Sequence, residues 1–156
     1  MSRITVPSSV NAAPKGAQAA LNAVGKSLGL VPNLFRLVGL SPPALKGLLG
    51  LTSALSGATL DARTQERIAL AVAEINGCGY CLSAHTYLAR NVLKLDDAEI
   101  TANRNATSND LKAHAAVSFA AALVTHRGHV SDAQVARVAP PVTRTVKSSR
   151  SCSQWR

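Results

Sequence analysis

A chain of 156 residues with 47% apolar content has the length of one domain and enough material to bury a core. Aromatic residues make up only 3% of it, and an apolar set rich in Ala and Leu favours helices over a β-sandwich. The net charge of +9 raises nucleic acid as a partner, but four of the 17 basic residues fall in 139–156 and the other 13 are scattered among 8 acids, with no basic stripe and no helix-turn-helix cue. No apolar run approaches the roughly 20 residues of a membrane span, and the N-terminus lacks the apolar core of a signal peptide. A cytoplasmic, reducing location is expected, with neither nucleic acid nor membrane as a partner. There a close Cys pair serves catalysis or a metal rather than a structural bridge.

Residues 1–16 are rich in Ser, Pro and Ala and read as a loose arm. The helical domain is expected over 17–138. Residues 17–30 form a helix with Leu21, Val24 and Leu28 on one face, broken at Val31-Pro32-Asn33. Asn33 is placed to cap a short helix through Leu40. Ser41 and Pro42 suit the cap and first turn of the next helix, which carries Leu45, Leu48, Leu49 and Leu55 and ends at Gly57. Asp61 caps a helix whose run Ile68, Leu70, Ala71, Val72, Ile75 is apolar enough to be buried on most sides. Asn76-Gly77 ends it, and Cys81 to Leu93 is a further helix. Residues 96–105 read as a charged turn around Ile100. Asp110 caps an Ala-rich helix to Thr125 that Gly128 ends, and Ser131 caps a last helix from Asp132. No strand alternation is present, so the fold class is all-α.

From Ala139 the helical periodicity gives way to Pro-Pro and then to Ser, Arg and Cys. With the wobble bases free, the alternative frame over Val138–Arg156 reads as a Ser-capped amphipathic helix. Residues 139–156 are therefore expected to be a frameshift product or a sequence error, which sequencing the gene across codon 139 decides.

The densest chemistry lies between Glu66 and His85. Cys78 and Cys81 are two thiols three apart, His85 is one helical turn beyond the second, and Glu66 is on the preceding helix. A helical hairpin turning at Gly77 can bring Glu66 to His85, where a carboxylate would orient the ring in a nucleophile–base–orienter set. Cys81, at the start of a helix, has backbone N–H groups nearby that favour an anion. Tyr80 lies between the thiols and offers a hydroxyl. Glu74 reads as a solvated or inter-subunit residue rather than the relay acid. His114, His126 and His129 have no partner motif and read as surface or helix-end residues.

This Glu, Cys-x-x-Cys and following His resemble the active site of the AhpD-like, carboxymuconolactone decarboxylase-related family of alkylhydroperoxidases. Gly29-Leu-Val-Pro-Asn-Leu-Phe-Arg36, Ser41-Pro-Pro-Ala-Leu45 and Arg127-Gly-His-Val-Ser-Asp132 are also similar to that family, so the resemblance covers roughly residues 28–138. It implies an AhpD-like helical bundle with the redox pair at the start of a helix that follows a buried one. It implies a hydroperoxide substrate, a peroxidatic Cys81, a resolving Cys78 and a proton relay through Glu66 and His85, with Tyr80 in a slot where another relay side chain can sit. The reductant it implies is a dithiol, such as a protein-bound dihydrolipoyl group. The assembly it implies is a homo-oligomer, a trimer or hexamer. No cofactor and no metal are needed for that chemistry. Three other readings stand beside it: a general dithiol–disulfide oxidoreductase, a carboxymuconolactone decarboxylase-like enzyme, which shares the fold but need not keep the dithiol, and a zinc or redox-sensing module using Cys78, Cys81 and His85 as ligands.

Overall fold

The structure is a computed structural model and describes residues 3–139. Every regular element among them is helical: α1 Lys15–Leu28, α2 Asn33–Val38, α3 Pro42–Leu55, α4 Ala62–Ile75, α5 Gly79–Tyr87 running on into a π-helical turn Leu88–Val92, α6 Asp97–Arg104, α7 Leu111–Thr125 and α8 Asp132–Val138. The residues from 140 onward, where the sequence reads as a frame change, lie outside those described. The chain divides between Thr59 and Leu60 into two compact units.

The first unit holds α1 to α3. Ala17 and Leu21 of α1 and Leu45 of α3 form its core with Ala13, and Phe35, Val38 and Leu49 pack around them. Residues 7–14 are not the loose arm that composition predicts. Pro7 and Ser8 each accept a hydrogen bond from Arg36 Nη1 (3.1 and 2.7 Å), and Gln18 Nε2 donates to the carbonyls of Asn11 and Ala13. Backbone polar groups paired with side chains from two helices hold the segment against the core. Asn33 is the first residue of α2 rather than its cap, and its Oδ1 accepts from Arg36 Nη2. Leu28 is 49% exposed and Leu55 53% exposed, so neither joins the face that periodicity assigned to it. Both sit at the last residue of their helix, where the packed stripe has run out. α3 stops at Leu55, two residues short of Gly57.

In the second unit α5, α6 and α7 all pack on α4. Leu70 of α4 meets Ala89, Leu95 and Ile100, with Leu82 beside them. Four Asp or Ser side chains start the helices. Asp61 accepts from the Thr64 N–H, Asp96 from Glu99, Asp110 from Lys112 and Ala113, and Ser131 makes a full capping box with Gln134. Each cap is worth about 1 kcal/mol. The bonds from the main chain and hydroxyl of Thr64 hold the Asp61 carboxyl below its usual range. α4 is less enclosed than its composition suggests. Leu70, Ala71 and Ala73 are buried, but Ile75 is 40% exposed. Residues 96–105 form a helix rather than a turn, because the Asp96 cap and the burial of Ile100 and Asn103 outweigh the charge that marked the segment. α7 ends with Arg127 in the left-handed region (φ 52°), one residue before Gly128.

Two ion pairs fasten α4 to α6. Glu74 Oε2 accepts from Arg104 Nε at 2.7 Å near the surface. Arg67 Nε donates to Glu99 Oε1 at 2.7 Å in the interior, where the two side chains are 10% and 7% exposed. Glu99 also takes bonds from Ser108 Oγ (2.5 Å), Asn103 Nδ2 (2.9 Å) and the Asn109 N–H (2.8 Å). Burial alone pushes this carboxyl up, and the four donors more than reverse that, bringing it down to about 2.

Candidate functional site

The junction between α4 and α5 builds the site. Gly77 has φ 61°, a left-handed conformation that a glycine adopts without steric cost. With it, α4 closes in a Schellman pattern: the Gly77 N–H reaches the Glu74 carbonyl and the Cys78 N–H reaches the Ala73 carbonyl, both at 3.0 Å. The same Cys78 is the N-cap of α5, and its carbonyl accepts from the Leu82 N–H at 2.9 Å. One residue is thus pinned between two helix ends. The chain reverses there in three residues, and α5 packs back along α4.

Cys78 and Cys81 are joined as a disulfide, with Cα atoms 5.3 Å apart. A separation of three on the first turn of a helix brings two Cβ atoms close enough for the bond. The Cys81 N–H donates to Cys78 Sγ at 3.2 Å. The helix terminus therefore aims its hydrogen at Cys78, whereas the sequence reading assigned that benefit to Cys81. Cys81 is the third residue of α5 rather than its start, because the helix begins at Gly79. The predicted helix to Leu93 is α5 and the π-helical turn together.

Glu66, on the second turn of α4, meets His85 on α5 across 19 residues of sequence, with Nδ1 and Oε1 2.8 Å apart. A carboxylate only accepts, so Nδ1 carries the hydrogen of this bond, and in the neutral form of the ring the lone pair is then on Nε2. The Glu66 side chain is 12% exposed and that of His85 is 33% exposed, so solvent reaches the ring but hardly the carboxylate. His85 stands one turn beyond Cys81 on the same helix, the spacing at which two side chains share a face. Tyr80, between the cysteines, is half exposed. The arrangement can carry out dithiol chemistry: two sulfurs that form and open a bond, and a base held in one tautomer.

Glu74 takes no part in this and pairs with Arg104. His126 and His129 are exposed beyond the end of α7, and His114 is exposed with Thr107 Oγ1 3.0 Å from its Nδ1. Among the described residues no three of His, Cys, Asp and Glu converge as a metal site, and no helix is long and apolar enough to cross a membrane. Sequence reasoning missed the buried Arg67–Glu99 pair, whose arginine is next to Glu66 on α4. The available signal was a charge at 67, three and four residues before Leu70 and Ala71 and so on their buried stripe.

A search of curated proteins finds no match. Among solved structures, the chain is similar to one described as the alkylhydroperoxidase AhpD core, a peroxidase-related protein from Ralstonia eutropha JMP134. The TM-score is 0.73 at 24% identity, over 87% of this chain and 73% of that one. It is also similar to a peroxidase-related protein from Silicibacter sp. TM1040, with TM-score 0.69 at 22% identity, over 80% and 68% of the two chains. At these identities the likeness is one of fold: the regular elements of the described residues are all helical and their fold is AhpD-like. The model of the carboxymuconolactone decarboxylase family matches residues 42–125. That match takes in α3 through α7 and spans more than half the sequence, so the chain belongs to the carboxymuconolactone decarboxylase family.

Proposed function

We propose that this chain is a thiol-dependent peroxidase that reduces hydroperoxides through a dithiol–disulfide cycle. The observation that carries the reading is the Glu66–His85 hydrogen bond, which sets an oriented base on the helix whose first turn holds the two cysteines. A dithiol beside an oriented base supplies what hydroperoxide reduction by this route uses, one thiol to attack and a second to close the disulfide on the sulfenic acid. The peroxidase-related names of the two similar structures point the same way.

In the cycle, Cys81 gives its proton to His85 and attacks the peroxide. The O–O bond breaks, the sulfur becomes a sulfenic acid, and the alcohol leaves with a proton returned through the relay. Cys78 then attacks that sulfur, the S–S bond forms, and water leaves. Glu66 holds the imidazole and balances its charge, and the Tyr80 hydroxyl belongs to the same relay. A dithiol donor, such as a protein-bound dihydrolipoyl group, supplies two electrons by exchange and restores the thiols. The cytoplasm provides the reducing setting that such a cycle requires.

The test counts thiols in reduced protein before and after one equivalent of an organic hydroperoxide, with Cys78→Ser and Cys81→Ser alongside. Loss of two thiols per chain, a Cys78–Cys81 link by mass spectrometry, and no peroxide consumption by Cys81→Ser are expected. Thiols that survive peroxide but exchange with small disulfides would replace the peroxidase reading by that of a general oxidoreductase. Stoichiometric zinc in the fresh protein would replace it by a metal module.

The working form is proposed to be a homo-oligomer, a trimer or hexamer. In support, Tyr87, Val92 and Leu111 of the second unit are 63%, 60% and 87% exposed, an apolar load that association would cover. Light scattering after gel filtration is expected to give three or six times the chain mass. A clean monomer at micromolar concentration would count against it.

A further inference from the structure

We propose that the main-chain N–H of Cys81 holds Cys78 as the ionised thiol of the reduced pair, while Cys81 depends for its ionisation on His85 and Glu66. The inference rests on the dithiol cycle proposed above and divides its proton chemistry between two separate devices.

Opening the S–S bond leaves the Cys78 backbone where it is, because its N–H is on the Ala73 carbonyl and its carbonyl accepts from Leu82. Neither bond involves sulfur. With that backbone held, the rotamer that puts Cys78 Sγ at the N-cap of α5, 3.2 Å from the Cys81 nitrogen in the disulfide, remains open to the free thiol. A thiolate there receives a charge-assisted bond from the donor that now serves a neutral sulfur. The bond also meets one of the unpaired N–H groups at the positive end of the helix. Among the described residues no main-chain N–H is bonded to Cys81 Sγ, and the N–H of Cys81 itself is given to Cys78.

The charged groups of the packed elements are committed elsewhere. On α4, Glu66 binds His85, Arg67 binds Glu99 and Glu74 binds Arg104, while Arg63 Nε reaches the Leu93 carbonyl at 3.1 Å. On the π-helical turn, Arg90 binds Asp97. α5 itself carries His85 as its only basic side chain, one turn from Cys81 and seven residues from Cys78. Titration of Cys78 is thereby left to the main chain, and that of Cys81 to the imidazole.

The division gives reduction of the disulfide a direction. An incoming thiolate bonds to Cys81 Sγ, the S–S bond breaks, and the electron pair leaves on Cys78, where the N–H receives it. The better-stabilised thiolate is the better leaving group. Attack at Cys78 Sγ would instead expel the thiolate that has no such donor.

The experiment follows thiolate absorbance against pH in reduced protein, with Cys152→Ser as background so that each chain carries one reporting thiol. The chains are Cys81→Ser and Cys78→Ser, each with and without Glu66→Gln. Cys81→Ser keeps the donor, because the residue-81 N–H is main chain. Cys78→Ser keeps the fold, because Ser is a good N-cap, and circular dichroism checks both. The Cys78 thiol is expected to titrate at least ~1 pH unit below the ordinary thiol value of about 8.5 and to stay put when Glu66 is replaced. The Cys81 thiol is expected to titrate higher and to move up on that replacement. A Cys78 midpoint at or above that of Cys81, or one that follows Glu66→Gln, overturns the inference. No peroxide is used, so failure of the peroxidase reading would show in the thiol count and leave this titration intact.

Discussion

Glu66→Gln is expected to slow peroxide consumption about 100-fold at neutral pH, within the range of roughly 10²–10⁴ that a positioned acid–base group contributes. The amide oxygen can still accept from Nδ1, so the imidazole keeps its place while the negative charge that balances its protonated form is gone. The low end of the range is expected because thiols ionise partly without help. For the same reason the deficit should shrink as the pH rises toward the ordinary thiol value of about 8.5, where hydroxide does the work of the base. Initial rates from pH 6 to 9 check this. The unfolding midpoint should shift only slightly, since glutamine keeps the hydrogen bond from Nδ1 and the His85 side of the pair is 33% exposed. An equal loss at every pH, or a large drop in stability, would make Glu66 a structural residue.

The largest effect on stability is expected at Glu99. Glu99→Gln leaves Arg67 charged and buried without its counter-charge, a change that typically costs 3–5 kcal/mol, so about 4 kcal/mol is expected. The pH dependence follows from the depressed carboxyl. Its folded value of about 2 lies below the ordinary 4.5. The stability it contributes is therefore fully present above about pH 4.5 and is lost as the pH falls through 2. Integrated over that window the loss is about 3 kcal/mol. Urea unfolding of the wild type should weaken steeply between pH 4.5 and 2, and that of Glu99→Gln should be low throughout and flatter in the same window. A variant within 1 kcal/mol of the wild type at pH 7 would mean that the packing of Leu70, Ala89, Leu95 and Ile100 holds α4 and α6 together without the charges.

The helix starts were legible because caps are local. Asp61, Asp110 and Ser131 each bond N–H groups two or three residues away, and residue type alone carries that signal. Asp96 is the same kind of cap, hidden by the acids that follow it. Burial at helix ends was less legible, because the reach of a stripe depends on the facing helix. Leu28 and Leu55 keep the period yet stand in solvent.

At the site, the chemistry on offer is readable without a structure: a dithiol with a spacing that permits a bond within one helical turn, a base one turn on, and a glycine where the chain must reverse. All of this follows from residue type and separations of a few positions. Tertiary structure alone decided the partnerships. Glu66 and His85 are 19 residues apart and Arg67 and Glu99 are 32 apart, and adjacent residues of α4 serve the two different pairs. It also decided which sulfur faces the helix terminus. That choice depends on the Gly77 dihedral and on Cys78 ending one helix while capping the next. Side chains distant in sequence meet only after α4 has been packed on its neighbours, and no local rule encodes which of its faces each neighbour takes.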